Sequence, residues 1–197
     1  MSEESIRKGL EASIAVKRNL LANAELIATA ARIAKAMVSC FKEGGKVLFC
    51  GNGGSAADAQ HLSAELSGRY YFDRPPLFAE ALHVNSSYLT AVGNDYGYDQ
   101  VFSRLVRAQG RGGDVLVALS TSGNSANVLK ALEMARTRKM VTVSFTGEGG
   151  GKMAALSDHL LAVPSKDTPR IQECHITLGH MICEVVEREL FAEKDAS

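Results

Sequence analysis

The sequence has no surplus of either charge: 22 lysines and arginines offset 22 aspartates and glutamates over 197 residues. A protein that grips nucleic-acid phosphates shows a basic excess or stripe. Here no basic run exceeds two residues, so no nucleic-acid partner is expected. Long apolar runs are missing as well. No segment approaches the roughly 20 apolar residues of a membrane helix. The opening "MSEESIRKGLEAS" carries acids where a signal peptide has bases, with no apolar stretch behind it, so no membrane association is expected. Cysteine is sparse. Cys40, Cys50, Cys174 and Cys183 show no CxxC or zinc-finger spacing, which argues against a thiolate metal site and fits a reducing cytoplasm. Without repeats or a low-complexity linker, residues 1–197 are expected to form a single domain.

Apolar periodicity is plentiful. Ile6, Leu10, Ile14, Leu21, Ile27, Ile33, Met37 and Phe41 recur at near-helical spacing, predicting a helical segment over about 3–43 that Gly44-Gly45 ends. One small sheet cannot cover so long a segment, so a helical bundle between subunits is the expected burial. Short apolar runs then alternate with helical patterns. "KVLFC", "LFAEALHV", "DVLVALS", "MVTVSFT" and "HLLAVP" read as strands. "SAADAQHLSAEL", "YDQVFSRLVRAQ", "NSANVLKALEMARTRK" and "GKMAALSD" read as the helices between them. The alternation predicts an α/β fold: parallel strands, right-handed crossovers, helices on both faces. A last helix, "TPRIQECHITLGHMICEVVERELF", is expected to start with Thr168 as N-cap and Pro169 at its first position.

In such a sheet ligands bind beyond the carboxyl ends of the strands. Two strand-to-helix junctions have the composition for it, "GNGGSAAD" (51–58) and "STSGNSAN" (120–127). In the second, Ser120, Thr121, Ser122 and Ser125 offer four hydroxyls, and Gly123 lets the backbone approach a ligand. Hydroxyls, free N–H groups and a helix dipole suit a phosphate monoester, although an ordinary capped turn has the same letters. No Walker lysine follows. In the first junction Gly51, Gly53 and Ala56 follow the dinucleotide pattern. No acid closes a second strand about 20 residues on, so a corner that brings N–H groups against a sugar phosphate fits better. Ser55 is expected to cap the following helix, with Asp58 completing a capping box.

On that helix His61 and Glu65 stand four apart, on one face, the spacing by which two side chains share a metal. A surface His–Glu pair has the same spacing. Gln172 and His180 lie eight apart on the last helix, about 80° around it. Two histidines, a carboxylate and an amide can together hold zinc, whereas His180 taken alone reads as a satisfied core histidine. His175 is given no role.

"CGNGGSAADAQHLSAEL", "GNDYG", "STSGNSANV" and "RIQECHITLGH" together resemble the phosphoheptose isomerase branch of the sugar isomerase domain family, in order and spacing from Cys50 to Phe191. The resemblance implies a flavodoxin-like five-stranded parallel sheet and a homotetramer with shared active sites. It implies one zinc ion per subunit on His61, Glu65, Gln172 and His180. It implies a substrate phosphate held by Ser120, Thr121, Ser122 and Ser125, with Asn52, Gly53, Gly54 and Ser55 at the glycine corner. Arg69, Asn94 and Asp95 would line the sugar end, with Glu65 and Gln172 also on the substrate. The implied reaction converts sedoheptulose 7-phosphate to D-glycero-D-manno-heptose 7-phosphate through an enediol, feeding the ADP-heptose route to the lipopolysaccharide core. Glu65 is expected to be the base and His180 the acid. Two alternatives stand beside it: a non-catalytic scaffold of the same family that binds the replication initiator, and another phosphosugar isomerase.

Overall fold

The computed structural model describes residues 2–192. The N-terminal segment is not one helix but two, α1 (Ser2–Ala22) and α2 (Ala24–Lys42). They part at Asn23, whose extended backbone (φ −95°, ψ 92°) lets its Oδ1 accept the Leu26 N–H at 3.1 Å. An asparagine that can cap the second helix competes with continuation of the first. The expected glycine stop holds: Gly44 N–H reaches the Phe41 carbonyl, and α2 ends.

Strand β1 (Val47–Gly51) follows, then α3 (Gly54–Ser67), β2 (Ala79–Ala81), α4 (Ser86–Tyr96) and α5 (Val101–Gln109). The second half runs β3 (Val115–Ser120), α6 (Ala126–Thr137), β4 (Val141–Thr146), β5 (His159–Ala162) and α7 (Thr168–Phe191). The five strands are parallel in the order β2-β1-β3-β4-β5, the expected flavodoxin-like arrangement. "GKMAALSD" makes only a 3-10 turn over Gly151–Leu156.

Side-chain alternation sorts each strand between two cores. Val47, Phe49, Val115, Val117 and Leu119 pack with α2, α3 and α7. Leu48, Cys50, Leu116 and Ala118 pack with α5 and α6. Every residue of β3 is buried, as a central parallel strand requires. Helix α4 was not expected from the sequence. It buries only Val92, so it leaves no apolar period to read. Asn85 starts it by accepting the Tyr88 N–H.

Two helix starts differ from expectation. Gly53, not Ser55, flanks α3: its φ of 56° with ψ of −123° is open only to glycine. The corner therefore turns early and draws Ser55 into the first helical turn, where it is buried. At α7, Asp167 is the flanking residue and Thr168 already lies within the helix, so Pro169 takes the second helical position rather than the expected first. Among the described residues no helix is long and apolar enough to cross a membrane. Ile6, Leu10, Ile14 and Leu21 stay exposed on α1.

Candidate active site

The strand order reverses direction between β1 and β3, and the crevice at such a switch point is where open parallel sheets bind ligands. The glycine corner after β1 and the serine turn after β3 are the two edges of that crevice. Gly123 shapes the second edge. Its φ is 65°, and a Cβ there would collide with the Gly150 carbonyl oxygen, so no side chain fits. Ser120 Oγ then lies 3.0 Å from Ser125 Oγ and 3.4 Å from Ser122 Oγ. Ser125 flanks α6 without bonding its N–H groups, leaving its hydroxyl for the cavity.

A hollow of about 140 Å³ is lined by Asn52, Ser55, Ser120, Thr121, Ser122, Ser125 and Gln172. The structure thus brings seven of the expected residues into one place. Gly53 and Gly54 form its exposed lip. Gly54 lies so close under Gln172 that a Cβ would meet its amide at 2.6 Å. The composition suits an anion: hydroxyls, two side-chain amides and a helix N-terminus, with no carboxylate in the lining.

Two residues that the sequence reading passed over hold Asn52 in place. Asn52 and Asn127 exchange side-chain amide bonds, both 2.9 Å. The Tyr98 hydroxyl reaches Asn52 Oδ1 at 3.3 Å. Asn127 is almost fully buried, and the only signal for it was its place in the first turn of α6.

Further along α3 a second group forms. His61 Nε2 lies 3.0 Å from Glu65 Oε1 and 3.1 Å from His180 Nε2. The cause of the second contact is Gly179. A Cβ at that position would meet both terminal methyls of Leu62 at 2.6 Å, so glycine alone lets α7 approach α3 this closely. Asp58 stands one turn before His61, where burial pushes its carboxyl up to about 6 against the pull of the histidine. The Tyr70 ring is 5.9 Å from that of His180. Burial, helped by Tyr71, pushes its phenol up to about 12, so Tyr70 stays protonated at neutral pH.

Donor atoms of His61, Glu65 and His180 all lie within 4.8 Å of one another. Nitrogens bound to one tetrahedral zinc ion at about 2.0–2.1 Å stand about 3.3 Å apart. The observed spacings are near that value, and two imidazoles with one carboxylate suit a borderline-soft divalent cation. His61 and Glu65 also line a wider hollow of about 470 Å³ along α3, with Ala57, Gln60 and Ala64. His175, in contrast, is fully buried and bonds the Thr146 carbonyl oxygen at 3.0 Å. Burial drives its pKa down to about 4 against the effect of that bond, so it is a neutral core residue.

Three expected residues stand apart within this chain. Arg69 is exposed just beyond α3. Asn94 and Asp95 are exposed on the last turn of α4, bonded to each other at 2.8 Å.

The profile of the SIS domain family matches residues 12–147. The chain belongs to the SIS domain family. Within it, the chain is 49% identical over 192 residues to a phosphoheptose isomerase of Aneurinibacillus thermoaerophilus, covering 98% of this chain and 97% of that one. A phosphoheptose isomerase of Rhodospirillum rubrum is 60% identical over 160 residues, covering 81% of this chain and 85% of its own. The solved phosphoheptose isomerase of Neisseria gonorrhoeae superposes with a TM-score of 0.89 at 46% identity, over 95% of this chain and 99% of that one. This SIS domain chain therefore shares both sequence and fold with phosphoheptose isomerases along nearly its whole length.

Proposed function

We propose that the protein is an aldose–ketose isomerase that interconverts sedoheptulose 7-phosphate and D-glycero-D-manno-heptose 7-phosphate. The reading is supported by the likeness to phosphoheptose isomerases over nearly the full chain. The observation that carries it is that two helices each contribute to both the anion hollow and the His61–Glu65–His180 group. Helix α3 brings Ser55 to the anion hollow and His61 and Glu65 to the group. Helix α7 brings Gln172 to the first and His180 to the second. Six to ten residues on α3 and eight on α7 separate these stations, about 9 to 15 Å and 12 Å along the axes. An extended seven-carbon phosphate bridges that gap with the side chains at each station reaching toward it.

With the phosphate in the serine turn, the C1–C2 end of the sugar lies toward Glu65 and His180. The Glu65 carboxylate removes a proton from C1 of the ketose, while His180 gives one to the carbonyl oxygen at C2. The product is a neutral enediol. His180 then takes the proton of the C1 hydroxyl as Glu65 returns its proton to C2, which leaves the aldehyde at C1. Both residues end as they began. A zinc ion held by His61, Glu65 and His180 would supply Lewis-acid polarisation of the sugar oxygens, whereas Gln172, expected as a fourth ligand, lines the anion hollow. Ligation lowers the basicity of a carboxylate, so Glu65 serves the two roles in alternation.

Residues 1–197 are proposed to act as one domain in a homotetramer with shared active sites. The exposed apolar line of α1 supports this, as does an apolar hollow of about 280 Å³ between α2 and α7. Arg69, Asn94 and Asp95 would then complete the sugar end across a subunit boundary. Four free, buried cysteines suit a reducing cytoplasm. The direct test is a coupled assay for heptose 7-phosphate on zinc-loaded protein. Turnover is expected, and its absence would remove the isomerase reading.

A further inference from the structure

Seven residues beyond His180 on α7 stands Glu187. Seven residues is about 20° short of two full turns, so Glu187 shares the helix face of His180. It is fully buried, and its partner Arg74 is only 2% exposed as a side chain. Arg74 Nε donates to Glu187 Oε1 at 2.9 Å. The same carboxylate accepts three consecutive backbone N–H groups, from Tyr70 at 2.8 Å, Tyr71 at 2.6 Å and Phe72 at 3.1 Å. Burial alone would raise the Glu187 pKa, but these donors outweigh it and the carboxyl titrates below its usual range.

The other end of Arg74 turns toward α3. Its Nη2 donates to the Glu65 carbonyl oxygen at 2.9 Å and its Nη1 to that of Leu66 at 2.8 Å. Carbonyls in the last turn of a helix lack donors of their own, and a cation there is favoured by the helix dipole. One buried ion pair therefore binds the end of α3, the segment just after it and α7. Those three pieces carry Glu65, Arg69 with Tyr70, and His180. A buried ion pair contributes little net stability compared with apolar side chains of equal volume. What it adds here is direction: its bonds to the backbone fix Glu65 and Leu66 at the end of α3 and Tyr70, Tyr71 and Phe72 just after it.

We propose that Arg74 and Glu187 are positioning residues, a buried clamp that sets Glu65 and Tyr70 in register with His180. Neither touches the substrate. The claim rests on the site reading given above, and two readouts keep the two separable. On zinc-loaded protein, Glu187→Gln and Arg74→Lys are expected to lower kcat about tenfold or more. KM for sedoheptulose 7-phosphate should stay within threefold, because the serine turn is untouched. Arg74→Lys keeps the charge but not the fork, so its loss would separate geometry from charge. A zinc titration against a competing chelator reads the same register without turnover, and a roughly tenfold weaker affinity is expected. Because a lone buried charge can unfold a protein, the double variant Arg74→Met/Glu187→Leu, which leaves none, is measured alongside. Folded variants with parental kcat and zinc affinity would overturn the clamp, as would KM rising in step with the fall in kcat. Absence of turnover in the parent would count against the isomerase reading alone, leaving the zinc titration to decide the clamp.

Discussion

Nε2 of His61 and Nε2 of His180 lie 3.1 Å apart although 119 residues separate them in the chain. Two neutral imidazoles at that distance either share one proton or point both lone pairs at one cation. The helix-to-helix approach at Gly179 permits the contact, and Glu65 completes the trio from the turn after His61.

Replacing Glu65 by Gln should therefore leave phosphosugar binding nearly unchanged and reduce turnover about 10²- to 10⁴-fold, the range for loss of a positioned base. Calorimetric binding beside the coupled assay checks both halves. Activity within a few-fold of the parent would reassign the base.

Gly179→Ala should push α7 from α3, because the new methyl meets Leu62. Overpacking of this kind costs about 1–3 kcal/mol, and separating the histidines should weaken zinc binding at least tenfold. Thermal unfolding and a zinc titration read the two effects. Unchanged metal affinity would mean that His61 and His180 do not act as one site.

Ser125→Ala removes a hydroxyl from the anion hollow without touching the trio. A hydrogen bond to a charged group contributes about 1.5–3 kcal/mol. KM for the phosphorylated sugar should rise roughly 10- to 100-fold, with kcat little changed. Initial-rate kinetics decide this, and an unchanged KM would place the phosphate elsewhere.

His175 gives the protein an acid-sensitive core. Its folded pKa of about 4 lies below the ordinary 6.5, so between these values the unfolded chain binds an extra proton. Its contribution is complete above about pH 6.5 and declines as pH falls toward 4, by about 2 kcal/mol between pH 7 and pH 5. Urea unfolding at those two pH values should show a smaller decline for His175→Gln than for the parent. Equal declines would show that the imidazole is not held neutral by its burial.

The layout of the sheet was legible because β1 and β3 are apolar almost throughout and their junctions carry glycine and serine in a pattern that suits ligand binding. Local competition hid other features. Asn23 interrupts an apolar period that continues on both sides of it. Helix α4 buries a single residue and so has no period. Ser55 lost the capping role to Gly53, since a backbone turn open only to glycine starts α3 earlier. In the site, helical spacing shows which residues of α3 or α7 share a face, but not that Gly179 brings the two helices together. Asn127 and Tyr98 were missed because their partner, Asn52, lies far away in sequence. Asn94 and Asp95 match their motif, and Arg69 follows the first one, yet all three stand outside both hollows.

The most direct test is a crystal structure of the zinc-loaded protein soaked with sedoheptulose 7-phosphate. The account predicts the phosphate against Ser120–Ser125 and the C1–C2 end beside Glu65 and His180. A phosphate outside the serine turn, or a sugar whose carbonyl lies beyond reach of Glu65, would contradict it.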